Sequence, residues 1–187
     1  MSAWVSRGGE KLEAALRAWS HLLPPLQGLV AADFGSNVGG FVQCLLAHGV
    51  GKVYALDTGY GVLAWSLRQD ARVIVMERTN ALHVALPEPV DLVTADMGWT
   101  RQKYLLPAAW RLLRPGGPII SLVKPHYEAE ASERRRGVLN PEALPGVLER
   151  VRRDVADAGG EIVAEMESPL KGGGGNVEYL WLMRKRA

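Results

Sequence analysis

Leu29-Val30-Ala31-Ala32-Asp33-Phe34-Gly35-Ser36-Asn37-Val38-Gly39-Gly40-Phe41 begins as an apolar run, stops at an acid and breaks into glycines before a helical apolar pattern resumes. The stretch reads as strand, tight turn, helix. Glycines at 35, 39 and 40 allow backbone angles and close approaches that a Cβ would block, so a flat ligand can lie on the main chain at the strand's carboxyl end. The spacing is Gly-x-x-x-Gly-Gly. It departs from the Gly-x-Gly-x-x-Gly of dinucleotide sites and suits the looser turn of a methyl-donor site.

Outward from this stretch, strands and helices alternate. Lys52 to Asp57, Arg72 to Glu77, Asp91 to Asp96 and Pro118 to Val123 read as further strands, with helices near 61–69 and 104–113 between them. Such βαβ repetition builds a parallel sheet with helices on both faces. A helix from Pro141 to Ala158 and strands 161–167 and 177–183 complete the pattern. The loop between those last two strands is too short for a helical crossover, so one terminal strand runs antiparallel. Seven strands ending in this way match the architecture of Rossmann-like methyltransferases. Glu128 to Asn140 is charged and without period, and reads as a long exposed loop.

The 187 residues, 48% apolar and 22% charged, describe one domain with ample core and no room for a second. The single cysteine, Cys44, excludes a disulfide framework, is read as core packing and fits a cytoplasmic location; no metal site is expected. No apolar run approaches a membrane span, and the first residues lack a signal-peptide pattern. Net charge is only +2, with basic residues gathered at Arg134-Arg135-Arg136 and Arg184-Lys185-Arg186. These clusters suit an anionic partner, although a solvated face explains them equally well.

Before the first strand, Leu12, Ala15, Leu16 and Trp19 mark one face of a helix over Gly9 to Ser20, part of an amino-terminal extension over residues 1–25. Lys11 falls in its first turn, where the helix dipole disfavours a cation, so its presence asks for a reason. Asp57 ends the second strand, where an acid can accept hydrogen bonds from a ribose hydroxyl pair. Asn80 lies past the third strand at the same sheet edge and can read an adenine amine or simply form a turn. Asp96 and Lys124 close the fourth and fifth strands, and Glu178 begins the last. Ionisable groups at adjacent strand ends imply a buried polar network, with Lys11 as a fourth member, in which Lys124 can take up a proton. A structural salt-bridge cluster is the alternative reading.

Ser6-Arg7-Gly8-Gly9-Glu10-Lys11-Leu12, the Asp33 to Phe41 turn, Tyr60 to Trp65, Met76 to Asn80, Lys124-Pro125 and Gly175-Asn176-Val177-Glu178-Tyr179 resemble the FtsJ-like RNA 2′-O-ribose methyltransferases, in particular their TlyA-type branch. The resemblance runs over nearly the whole chain. It implies S-adenosylmethionine as cofactor, held by Asp33, Gly35, Ser36, Gly39, Gly40, Phe41, Asp57, Asn80 and Asp96. It also implies a catalytic Lys11, Asp96, Lys124, Glu178 tetrad and an RNA substrate, ribosomal in the branch, with no membrane partner. The S4 RNA-binding domain usual in that branch has no place before Ser6. Asp96 is followed by Met97-Gly98-Trp99-Thr100-Arg101-Gln102, which differs from the branch pattern but keeps an aromatic residue able to stack on a base or fill core. An RNA-binding module without activity, and a methyltransferase of another substrate, remain open on these residues.

Overall fold

The computed structural model describes residues 4–186. Its elements are α1 (Arg7–Ala18), β1 (Val30–Phe34), α2 (Gly40–Ala47), β2 (Lys52–Leu56), α3 (Trp65–Arg68), β3 (Val73–Met76), β4 (Leu92–Ala95), α4 (Gln102–Leu112), β5 (Ile119–Val123), α5 (Pro125–Glu128), β6 (Arg134–Arg135), β7 (Val138–Leu139), α6 (Leu144–Asp157), β8 (Gly160–Glu167) and β9 (Tyr179–Lys185).

Seven strands form one sheet in the order β3-β2-β1-β4-β5-β9-β8. β1 to β5 run parallel, and β9 is antiparallel to both of its neighbours. The antiparallel strand is therefore the last in sequence, yet it lies inside the sheet and not at its edge. Central strands β4 and β5 are buried along their whole length, as expected where helices cover both faces. Side chains alternate between two cores. Leu180 and Leu182 of β9 join Leu12, Leu16, Phe41 and Leu45 on the face of α1 and α2. Trp181 and Met183 point the other way, to Leu105, Trp110, Val151 and Val155 of α4 and α6. Among the described residues no helix is long and apolar enough to cross a membrane.

Two segments differ from the sequence expectation, each for a local reason. The helix expected over 61–69 contracts to α3, because Gly61 has a φ of +71° and Ala64 is extended, while the N–H groups of Gly61, Val62 and Leu63 donate to the Glu77 carboxylate and hold the stretch as a loop. That carboxylate also pairs with Arg68, and these bonds hold its pKa down at about 2. The long loop contains a hairpin of β6 and β7, whose two-residue turn, Arg136-Gly137, has positive φ at both positions. That backbone twist matches a tight hairpin, but the short strands carry too few apolar residues to show a period.

Candidate functional site

The turn after β1 gathers the site. A Cβ at Gly35, whose φ is +78°, would stand 2.8 Å from the Asp96 carbonyl oxygen, so the missing side chain lets the ends of β1 and β4 close on one another. Beneath the turn Asp33 is fully buried and accepts a 2.6 Å hydrogen bond from the Thr94 hydroxyl. Its Oδ2 has no partner among the described residues. Burial pushes its pKa up to about 7, against the lowering effect of its bonded neighbours. The Ser36 hydroxyl donates to the Asp33 carbonyl at 3.0 Å, tying the turn to the strand it leaves.

The remaining glycines serve packing. A Cβ at Gly39 would overlap Leu63 and Leu67, and one at Gly40 would overlap Ser6 and the Gly8-Gly9 backbone. Gly40 is thus what lets α1 press against the start of α2. That contact turns the buried Lys11 of α1 toward the sheet edge, where its ammonium lies 2.5 Å from the carboxylate of buried Glu178. Because α1 begins at Arg7, two residues earlier than the sequence suggests, Lys11 lies beyond the first turn, and its charge is matched by the carboxylate that precedes β9.

Lys124 and Asp96 form a second ion pair at 2.6 Å, partly open to solvent. The four residues therefore stand as two pairs, Lys11 with Glu178 and Lys124 with Asp96. Continuing the β5/β9 register one step past Val123 and Tyr179 sets Lys124 opposite Glu178. Within reach of both lysines' charges lies His126, a buried residue that sequence reasoning passed over. Burial, then the charges of Lys124, Arg134 and Lys11, hold its pKa down at about 4, so it is neutral at pH 7. Only its position directly after Lys124-Pro125 could have signalled it.

Two clefts of about 410 and 250 Å³ open at the carboxyl ends of β1, β2 and β4. They share Gly35, Asn37, Asp96 and Gly98. Asp57, Asn80, Ala81 and Leu82 line the larger; Ser36, Gly40, Phe41 and Lys124 line the smaller. Of the nine residues expected to hold a cofactor, Asp33 and Gly39 line neither cleft: Asp33 supports the turn from below, and Gly39 faces α3. Asp57 accepts from the Asn37 and Gly59 N–H groups at 2.8 and 2.7 Å, which fixes its carboxylate at the cleft wall. Asn80 spends its side-chain oxygen on the Leu82 N–H, and so shapes a turn.

Beside Lys124, Trp99 is exposed and its ring centroid lies 4.5 Å from that of Tyr127. Of the basic groups expected to meet an anion, Arg134 donates to the His126 carbonyl, whereas Arg135 and Arg136 project from the hairpin. The cluster at Arg184 lies at the far end of β9, away from this edge, and Arg184 donates to Leu22. Sequence reasoning quoted Asn176 in a motif but gave it no role. It is buried, its amide donates to the carbonyls of Gly137 and Gly173, and its oxygen accepts from Leu139. It thereby stitches the β6/β7 hairpin to the glycine turn that delivers Glu178.

These residues fit S-adenosylmethionine. A carboxylate stands at the β2 end, a turn opened by Gly35 at the β1 end, and the larger cleft leads through Gly35 and Asp96 to the Lys124–Asp96 pair.

Comparison with known proteins gives the same reading. Residues 4–185 match the model of the FtsJ-like methyltransferases. The chain is 41% identical to the 16S/23S rRNA (cytidine-2′-O)-methyltransferase TlyA of Mycobacterium tuberculosis, over 96% of its own length and 68% of that protein. Hemolysin A of Brachyspira hyodysenteriae is 33% identical, over 95% of this chain and 75% of that one. Among solved structures, a candidate hemolysin of Streptococcus thermophilus superposes with a TM-score of 0.93 at 32% identity, covering 100% of this chain and 68% of the other. Aeropyrum pernix fibrillarin, solved with S-adenosyl-L-methionine, shares the fold with a TM-score of 0.64 at 17% identity, over 94% and 75% of the two chains. With S-adenosylmethionine as its cofactor, the chain belongs to the FtsJ-like methyltransferase family.

Proposed function

We propose that this domain methylates a ribose 2′-oxygen of structured, ribosomal RNA, with Lys124 as the base. The observation that carries this reading is the meeting of the two clefts at the Lys124–Asp96 pair. Bound S-adenosylmethionine supplies a methyl group on a good leaving centre, so the protein has to place the hydroxyl in line and accept its proton. Lys124 first gives its own proton to solvent; its free amine then accepts the hydroxyl proton on Nζ, and Asp96 steadies the resulting ammonium. Lys11 and Glu178, buried as a pair, fix α1 and β9 behind Lys124 and complete the tetrad. Neutral His126 adds no third positive charge there at pH 7. The exposed ring of Trp99, backed by Tyr127, offers a base of the substrate a stacking surface. TlyA of M. tuberculosis is named for rRNA cytidine 2′-O-methylation, and this supports the same substrate class here.

A 2′-O-methyl group blocks alkaline cleavage at its own nucleotide. With tritiated cofactor and ribosomal subunits as substrate, the label is expected in alkali-resistant dinucleotides. Label in mononucleotides, or in protein, would assign the reaction to another acceptor; none in any acceptor would favour a binding module.

A further inference from the structure

On the face of α2 turned toward α1, away from Lys124, three side chains bring metal-ligand chemistry together. Cys44 and His48 stand one helical turn apart at the carboxyl end of α2, and Glu13 reaches them from α1. His48 Nε2 lies 2.6 Å from Glu13 Oε2, and Cys44 Sγ lies 3.7 Å from the same oxygen. All three ligand atoms fall within 4.8 Å of one another. Cys44 is fully buried, while Glu13 and His48 are half-buried.

We propose that Glu13, Cys44 and His48 bind a borderline divalent cation, zinc, as a three-residue site with solvent in the fourth position. The donor set argues for this class of ion. A thiolate, an imidazole nitrogen and a carboxylate oxygen are all zinc ligands, whereas calcium and magnesium take oxygen. The spacing argues the same way. Ligands about 2.0–2.3 Å from a tetrahedral zinc lie roughly 3.3–3.7 Å apart, so the sulfur and the carboxylate already stand at that separation. Glu13 and His48 have to part by about 1 Å, and His48 ends its helix, where a half-exposed ring has room to turn. Binding replaces their mutual hydrogen bond with bonds to the metal, and the Cys44 thiol releases its proton to solvent. His48 is the ligand nearest solvent on one side, where it borders an open cleft beside Pro24, Pro25 and Gln27. Arg17, 3.4 Å from Glu13 Oε1, leaves Oε2 to the metal.

The position gives the site a consequence. Glu13 lies two residues beyond Lys11 on the same helix, so a bound ion would link the helix that carries Lys11 to the helix that follows the cofactor turn.

The test uses the full chain without a histidine tag, stripped with a chelator and titrated with zinc against a chromophoric competitor, then with cobalt while absorbance is followed. One equivalent of metal is expected, with a thiolate-to-cobalt charge-transfer band, and the thermal midpoint should rise with free zinc. Cys44→Ser should abolish the band. His48→Gln and Glu13→Gln, at less buried positions, should each weaken zinc binding roughly 100-fold or more, since even outer-shell changes cost 10–100-fold. Far-ultraviolet circular dichroism identifies a variant that fails to fold, and the other two then decide. Absence of the charge-transfer band in the wild-type chain, or zinc affinity unchanged in both His48→Gln and Glu13→Gln, would overturn the proposal and leave a plain hydrogen bond between two helices.

Discussion

Lys11 and Glu178 are 167 positions apart in the chain, yet their charged ends meet at 2.5 Å with both side chains buried. Such a pair forms only when α1, α2 and β9 are all in place. Removing one partner strands the other charge, at a cost of about 3–5 kcal/mol, whereas replacing both by apolar residues of similar size is often nearly neutral. Lys11→Met and Glu178→Leu should therefore each lower the urea midpoint sharply, and the double variant should recover most of the loss. Recovered stability without recovered methyl transfer would show that the pair serves the chemistry as well as the fold.

Lys124 is expected to behave otherwise, because its pair with Asp96 is partly open to water. Lys124→Ala should lower single-turnover transfer by roughly 10²–10⁴ and leave S-adenosylmethionine affinity, measured by calorimetry, nearly intact. A rate equal to the wild type would remove Lys124 from the role of base.

Two buried groups give the protein opposing responses to pH. Burial pushes Glu128 up to about 7, so the native state keeps a proton that the unfolded chain gives up from about pH 4.5, and stability falls as pH rises toward 7. His126 is held at about 4, so the unfolded chain takes a proton that the native state refuses, and stability falls as pH drops from 6.5 to 4. Glu128→Gln should accordingly gain on the wild type as pH rises from 4.5 through 7, and His126→Gln should gain as pH falls from 6.5 to 4. Urea titrations at a series of pH values read both slopes.

Asn176 makes three hydrogen bonds that no other side chain replaces at that junction. Asn176→Ala removes hydrogen bonds to the part-buried Gly137, Leu139 and Gly173 backbone, worth about 0.5–1.5 kcal/mol each. The hairpin should loosen from the Glu178 turn, so we expect a raised KM for RNA and a lowered kcat with cofactor affinity unchanged. Equal kinetics in steady-state assays would mean that the hairpin holds its place unaided.

Arg135 and Arg136 are the exposed arginines of the hairpin, while Arg134 is committed to His126. The pair Arg135→Ala and Arg136→Asn, the asparagine chosen because φ there is +51°, should flatten the salt dependence of RNA affinity. Each lost phosphate contact lowers the log–log slope by about 0.7–0.9. An unchanged slope would make the two arginines a solvated face.

How much of this was legible in the chain depends on whether a feature is local. The glycine turn after β1, the alternation of strands and helices, and the antiparallel strand were readable because apolar runs and turn residues carry their own period. Lys11 stood out in the sequence as a first-turn cation, but α1 starts at Arg7 and puts it one turn in; what it needs is a partner for a buried charge, and only the fold names Glu178. The functions of Gly39 and Gly40 were not readable, because what excludes a Cβ there belongs to α3 and α1. Likewise the helix expected after Gly61 gave way to a carboxylate 14 to 16 positions away, which no local propensity records.

The placement of β9 between β5 and β8 also sets an order of assembly. β8 comes earlier in the chain, but among the described residues its one sheet neighbour is β9, so it has no edge to join until the later strand arrives. The sheet is thus closed from within by the strand whose first step carries Glu178 past Lys124. Until then Lys11 has no counter-charge and the hairpin no anchor at Asn176. A folding chain is expected to acquire its last long-range pairing and its competence for methyl transfer in one event, and a nick in the 172–175 turn should abolish transfer more readily than it unfolds β1 to β5.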